Sequence, residues 1–146
     1  MICKALSQAD FSAMAAILSQ YPELNWTPQM LESSLQANQN KAFGLFSQDT
    51  LVSFSLFQIV QDEAELLLIL THQAWRQKGC ATQLLTDNLA QFDVLFLEVR
   101  AHNHAAQKLY EKLGFEFQGL RKQYYTNPLE DARQYTLYKK IKLDRT

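Results

Sequence analysis

Leu66-Leu67-Leu68-Ile69-Leu70-Thr71-His72-Gln73-Ala74-Trp75-Arg76-Gln77-Lys78-Gly79-Cys80-Ala81-Thr82 is the stretch that decides the fold. Its first five residues are an unbroken apolar run, the pattern of a strand covered on both faces. A short loop follows, and helical spacing begins inside the basic, glycine-bearing segment 76–82. Ala81, Leu84, Leu85 and Leu89 then turn inward on a helix predicted over about 77–91. Residues 94–99 form a second, nearly unbroken apolar strand. A strand, a crossover helix and a second strand near the middle of the chain make the sheet mixed.

Working outward, Ser7 with Asp10 three residues on reads as a helix cap. Phe11, Met14, Ala15 and Leu18 recur behind it at helical spacing. Thr27-Pro28 starts a second helix edged by Leu31 and Leu35, and Trp26 docks the preceding loop. Strands are predicted over 41–46 and 51–60, with turns at 47–50 and at Gln61-Asp62. Downstream, Asn103 caps a helix in which Ala105, Leu109 and Leu113 stack on one side. Gly114 stands where a left-handed helix end is expected. Two last strands, 115–125 and 133–141, join through Asn127-Pro128. The order β αα βββ α β α ββ implies an α/β (α+β) fold: a mixed, mostly antiparallel sheet with helices on both faces. No repeat, low-complexity tract or linker interrupts it, so 1–146 reads as a single domain.

Composition sets outer bounds. With 146 residues, 47% of them hydrophobic, the chain can bury a core without a disulfide scaffold. A net charge of -1 argues against coating nucleic acid by bulk charge. Cys3 and Cys80 lie far apart and form no CxxC pair, and three His add no ligand spacing, so no metal is expected. There is no apolar run of about 18 residues and no signal-peptide core behind Met-Ile-Cys-Lys, so no membrane span is expected. A cytoplasmic protein with reduced thiols is the expectation.

Three segments carry candidate chemistry. A helix start within 76–82 exposes unpaired N–H groups and the positive end of the helix dipole, where phosphate binds. Gly79 and Ala81 keep that backbone bare, and Arg76 and Lys78 add charge; the competing reading is an ordinary connection with a solvated basic patch. Glu98 interrupts the apolar strand 94–99. It is either an ion pair, with Arg100 or another Arg, or a tuned general base. Tyr110 lies on the next helix, as an acid partner to that carboxylate or as a core tyrosine. Tyr124-Tyr125 either lines a groove or packs. His72, His102 and His104 fall at element ends, as surface histidines do. Cys80 at a helix start invites a lowered pKa, but no His or Asp is placed to serve it as a nucleophile.

Together these motifs resemble the GCN5-related N-acetyltransferase (GNAT) superfamily. Arg76-Gln77-Lys78-Gly79-Cys80-Ala81 looks like its acetyl-CoA signature, Q/R-x-x-G-x-G/A. Leu97-Glu98-Val99-Arg100-Ala101-His102-Asn103, Ala105-Ala106, Leu109-Tyr110-Glu111-Lys112-Leu113-Gly114-Phe115 and Arg121-Lys122-Gln123-Tyr124-Tyr125 are similar to the ribosomal-protein-alanine N-acetyltransferases (RimI type). Trp26-Thr27 and Asp62-Glu63-Ala64 fall where that branch has similar residues.

The resemblance implies a sheet of six to seven strands with a central, splayed parallel pair. It implies acetyl-CoA hydrogen-bonded along Ile69, Leu70 and Thr71, with pyrophosphate on Gln77, Lys78, Gly79, Cys80, Ala81 and Thr82, and Asn103 touching it from the far side. Glu98 becomes the base, Tyr110 the acid, and the amine attacks the thioester directly. Trp26, Tyr124 and Tyr125 line the acceptor groove. The substrate is the N-terminal alanine of small-subunit ribosomal protein eighteen, with no direct nucleic-acid binding and a monomer or weak dimer. The chain departs from the family pattern at Ala81, in a short stretch between Leu85 and Leu97, and at Leu68, where an amide often stands.

An α-amine of pKa about 7.7–8.0 is neutral in roughly a tenth to a sixth of molecules at pH 7, a lysine in only about one of 2,500. A single carboxylate base therefore has far less to do for an α-amine. Other amines (lysine, amino acids, polyamines, aminoacyl-tRNA) and a non-catalytic acetyl-CoA-binding module are the alternatives. Seven of the 14 Lys+Arg fall within 121–146, against three acids. That suits docking near RNA or a solvated strand edge and tail.

Overall fold

The computed structural model describes residues 1–126 and 128–138. Asn127 in the last turn, the end of the final predicted strand and the basic positions 139–146 lie outside the described residues. Seven strands form one sheet: β1 (Ile2–Leu6), β2 (Asn40–Ser47), β3 (Thr50–Val60), β4 (Glu63–Thr71), β5 (Val94–Arg100), β6 (Glu116–Tyr125) and β7 (Glu130–Tyr138), in the order β1-β2-β3-β4-β5-β7-β6. Only β4 and β5 pair in parallel. Helices α1 (Phe11–Leu18) and α2 (Pro28–Gln36) cover one face of β2–β4, and α3 (Cys80–Leu89) and α4 (His104–Lys112) lie on the other.

The caps form as the residue types dictate. Thr27 Oγ1 accepts the Met30 N–H at 3.1 Å, and Asn103 Oδ1 accepts the Ala106 N–H at 3.2 Å. Ser7 and Asp10 close a capping box, but around a 3₁₀ turn that leads into α1 rather than around α1 itself. Gly114 adopts φ +100° and ends α4. The Phe115 N–H reaches the Tyr110 carbonyl at 3.0 Å and the Gly114 N–H reaches Glu111 at 3.1 Å, the paired bonds of a Schellman motif. The apolar contact that accompanies this motif is the Phe115 ring against Tyr110, 5.7 Å between centroids.

Four expectations need correction. Helix α3 starts at Cys80, not Gln77, because Gln77 and Gly79 both have positive φ. On α4 the buried residues are Gln107 and Tyr110, while Ala105 is exposed at a cleft edge. Strand β5 is not equally covered on both faces: Leu95, Leu97 and Val99 are buried, whereas Phe96, Glu98 and Arg100 are only half-buried. Strand β4 changes face midway. Leu56 pairs with Leu68 but Phe57 with Leu66, so Leu67 is the extra residue of a β-bulge. Ala64 and Leu66 therefore join the core under α3, and Leu68 and Leu70 join the core under α1 and α2. Pairing of β4 with β5 stops at Glu65 and Phe96, just before the bulge. Beyond it the two strands splay apart, and Leu67 and Ile69 stay half-buried along the opening.

Candidate active site

The splay opens into two clefts. One, about 410 Å³, runs from Ile69 and Thr71 along the segment 76–82 to the start of α4. The other, about 280 Å³, lies between the α1–α2 loop and the end of β6, with Trp26, Glu98 and Tyr125 on its walls. Ile69, Asn103, Ala106 and Tyr110 line both. Two ligands entering from opposite sides would meet there.

The first cleft suits a phosphate-bearing chain. The N–H groups of Gln77, Lys78 and Gly79 have no backbone partner among the described residues, and those of Cys80, Ala81 and Thr82 are the free first turn of α3. Positive φ at Gln77 and Gly79 curls this backbone into a concave nest of donors. Gly79, at φ +81°, has nothing within 4 Å of where a Cβ would stand, so its backbone is open to a ligand. The residues present therefore fit the pyrophosphate of an acetyl-CoA molecule. Cys80 is buried, and burial pushes its thiol up against the opposing pull of Lys78. Burial thus outweighs the lowering that a helix start invites, and Cys80 lines the cleft.

The strand end is less open than the sequence suggests. The His72 N–H bonds the Val52 carbonyl on β3, so by alternation Leu70 also points into the sheet, and Ile69 and Thr71 point away. The Thr71 groups are occupied: the Tyr21 hydroxyl donates to the Thr71 carbonyl at 2.8 Å and accepts the Thr71 N–H at 3.0 Å. The Arg76 guanidinium stacks on the Tyr21 ring at 4.2 Å and donates to the same carbonyl at 3.3 Å. Of the three strand-end residues, Ile69 offers its backbone to the cleft. Tyr21 is a cleft residue that no sequence motif announced.

Glu98 is an ion pair, with Arg121 rather than Arg100. Arg121 Nη1 lies 3.1 and 3.2 Å from the two carboxylate oxygens, and Gln134 Nε2 donates to Oε2 at 3.1 Å. Arg121 is half exposed, so this pair adds at most about 1 kcal/mol of stability. Its evident effect is to aim the carboxylate. Among the described residues Oε1 has one donor, Arg121, and room for another.

Tyr110 is buried, with its ring against Phe115 and Tyr135. Its hydroxyl has no hydrogen-bond partner among the described residues. Burial, and then Tyr125, push the phenol far above its ordinary value. Tyr125 is pushed up to about 12, by burial first and then by Glu98. These two phenols and Glu98 therefore share one electrostatic neighbourhood.

Arg100 holds Tyr125 in place. Its guanidinium lies 4.5 Å over the ring and bonds the Thr126 and Pro128 carbonyls and Glu130. Burial pushes the Glu130 carboxyl up, but the His102 N–H, Arg100 and the His102 ring outweigh it and hold it below the usual range. Tyr124 lies outside both clefts and stacks on Arg121 at 4.4 Å. His102 is thus tied to Glu130, and His72 caps the turn after β4 through Ala74.

Residues 11–115 match the acetyltransferase (GNAT) family. The chain belongs to this family. It is an N-acetyltransferase on a GNAT fold, with seven strands and one splayed parallel pair. It is similar to the [ribosomal protein bS18]-alanine N-acetyltransferase of Escherichia coli K12, 30% identical over 135 residues that cover 89% of each chain. The Haemophilus ducreyi protein of the same name is 38% identical over 86 residues, 56% of this chain and 59% of that one. The crystal structure of the E. coli ribosomal-protein-S18-alanine N-acetyltransferase superposes with a TM-score of 0.90, at 28% identity, over 99% of this chain and 97% of that one. Among the described residues of this GNAT chain, no group of His, Cys, Asp and Glu could hold a metal, and no helix is long and apolar enough to cross a membrane.

Proposed function

We propose that this chain acetylates the N-terminal alanine of a small-subunit ribosomal protein, using acetyl-CoA in the cytoplasm as one catalytic domain. The observation that carries the reading is the meeting of the two clefts at Ile69, Asn103, Ala106 and Tyr110, with Glu98 on the acceptor side only. The names and extent of the similar proteins support the choice of acceptor. Bound acetyl-CoA supplies a thioester open to direct attack by a neutral amine. Gln77 to Thr82 hold its pyrophosphate through backbone N–H groups, and Arg76 and Lys78 add charge. Ile69 offers backbone bonds to its arm, and Asn103 lies against it with the amide left over from capping α4.

Glu98 accepts the ammonium proton at Oε1, directly or through a water. The half-exposed Arg121 pair keeps it oriented without closing that oxygen. Tyr110 faces the sulfur as the acid. Its raised pKa keeps the proton in place at any working pH. Thiols such as cysteine have a pKa of about 8.5, far below this phenol, so full transfer is uphill and hydrogen-bond donation carries most of its effect. Trp26 and Tyr125 flank the entering peptide, and Tyr124 acts from outside by packing on Arg121.

The test is thiol release from acetyl-CoA at pH 7.5 with three acceptors: a peptide beginning with Ala, the same peptide blocked at its N-terminus but carrying Lys, and a set of polyamines and amino acids. Turnover confined to the free N-terminal peptide is expected. Turnover on the blocked peptide or the small amines instead would overturn the α-amine reading.

A further inference from the structure

A third cleft, about 460 Å³, lies beside Glu98 and is lined by residues of β4, β5, β6 and β7. Neither the cosubstrate nor the proton transfer requires it. Three charged side chains line it: Glu65, Glu98 and Arg121. Arg121 is committed to Glu98, with Nη1 at 3.1 and 3.2 Å from its oxygens. Glu65 has no hydrogen bond or ion pair among the described residues. Among the described residues the cleft therefore carries one negative charge in excess. Burial, and then Glu98, push the Glu65 carboxyl up, with Arg121 opposing. A half-buried carboxylate in this position is relieved by an incoming cation. Phe96 and Tyr138 line the same cleft and offer aromatic surface on which the stem of a Lys or Arg side chain packs. An unpaired carboxylate beside aromatic rings is the chemistry of a receptor for a basic side chain.

We propose that Glu65 is a specificity residue that receives a basic side chain of the acceptor, one or two residues behind the reacting amine. The inference rests on the α-amine reading above. Glu98 lines both the acceptor cleft and this one, so a single peptide can place its amine at Glu98 and its next side chains toward Glu65. Extended chain advances about 3.3–3.6 Å per residue, which keeps the basic group close to the N-terminus. The contact is electrostatic and partly exposed, so it weakens with salt.

The experiment compares kcat/KM for peptides that begin with Ala and differ only in carrying Arg, Gln or Glu at the second or third position. The wild-type protein should favour the best Arg peptide over its Gln counterpart by about tenfold, mainly through KM, a ratio equal to about 1.4 kcal/mol. Glu65→Gln should bring that ratio close to one, and Glu65→Lys should turn the preference toward the Glu peptide. A wild-type protein indifferent to these charges, or an unchanged ratio in Glu65→Gln, would overturn the role of Glu65 while leaving α-amine acetylation standing. Absence of turnover on every peptide, with acetyl-CoA still bound, would overturn both. If Glu65→Gln fails to fold, Glu65→Ala read by the same Arg-to-Gln ratio takes its place.

Discussion

Glu98 takes the ion-pair alternative, with Arg121, and also lines a cleft. The pair is too exposed to matter much for stability, so its loss should be read in catalysis. Glu98→Gln is expected to lower kcat about 10²- to 10⁴-fold near pH 7, the range for a positioned base, while acetyl-CoA affinity measured by calorimetry stays within twofold. The sign with pH follows from the acceptor. An α-amine of pKa about 7.7–8.0 is mostly neutral by pH 9, so the deficit should shrink as pH rises. A deficit that is constant from pH 7 to 9 would remove the base role. Arg121 was visible in the sequence only as part of a resembling motif. Its partner was hidden because residues 98 and 121 meet only when β6 folds back beside β7.

At the scale of elements, the Schellman end of α4 explains why Leu109-Tyr110-Glu111-Lys112-Leu113-Gly114-Phe115 behaves as one unit. Gly114 reverses the chain, Phe115 drops onto Tyr110, and the phenol is held at the junction of the two clefts. A side chain at φ +100° is strained, although a Cβ there would meet Leu137 Cδ1 only at an ordinary contact distance of 3.4 Å. Gly114→Ala should cost about 1–2 kcal/mol in urea unfolding and lower kcat more than either KM, because Tyr110 moves. A normal kcat in a destabilised protein would separate the helix end from the chemistry. The bulge at Leu67 is the other decisive element. It divides β4 between two cores and coincides with the end of its pairing to β5. An unbroken run of five aliphatic residues hides such a bulge, because both faces ask for the same residue type.

Over the whole molecule, β1–β4 and β5–β7–β6 are joined within the sheet by three residue pairs only, Glu63–Val94, Ala64–Leu95 and Glu65–Phe96. A ligand lying in the splay touches both halves. Saturation with acetyl-CoA at about 100 times Kd should add about 2.7 kcal/mol and raise Tm by about 5–10 °C. Gly79→Ala should reduce that gain, since it strains a backbone at φ +81° and places a methyl group in the cradle. Thermal scans with and without acetyl-CoA check both, and an undiminished gain in Gly79→Ala would argue against pyrophosphate binding there. The sequence by itself determined the order of elements, the caps at Thr27 and Asn103 and the left-handed Gly114. All of these depend on residues near one another in the chain, where spacing and backbone preference act directly. Only the tertiary structure decided that Glu98 pairs with Arg121, that Tyr21 occupies the Thr71 edge, that Tyr125 rather than Tyr124 lines a cleft with Glu98, and that Glu65 has no partner among the described residues. Those outcomes depend on strand register and on which half of the sheet each side chain meets, and local sequence does not encode them.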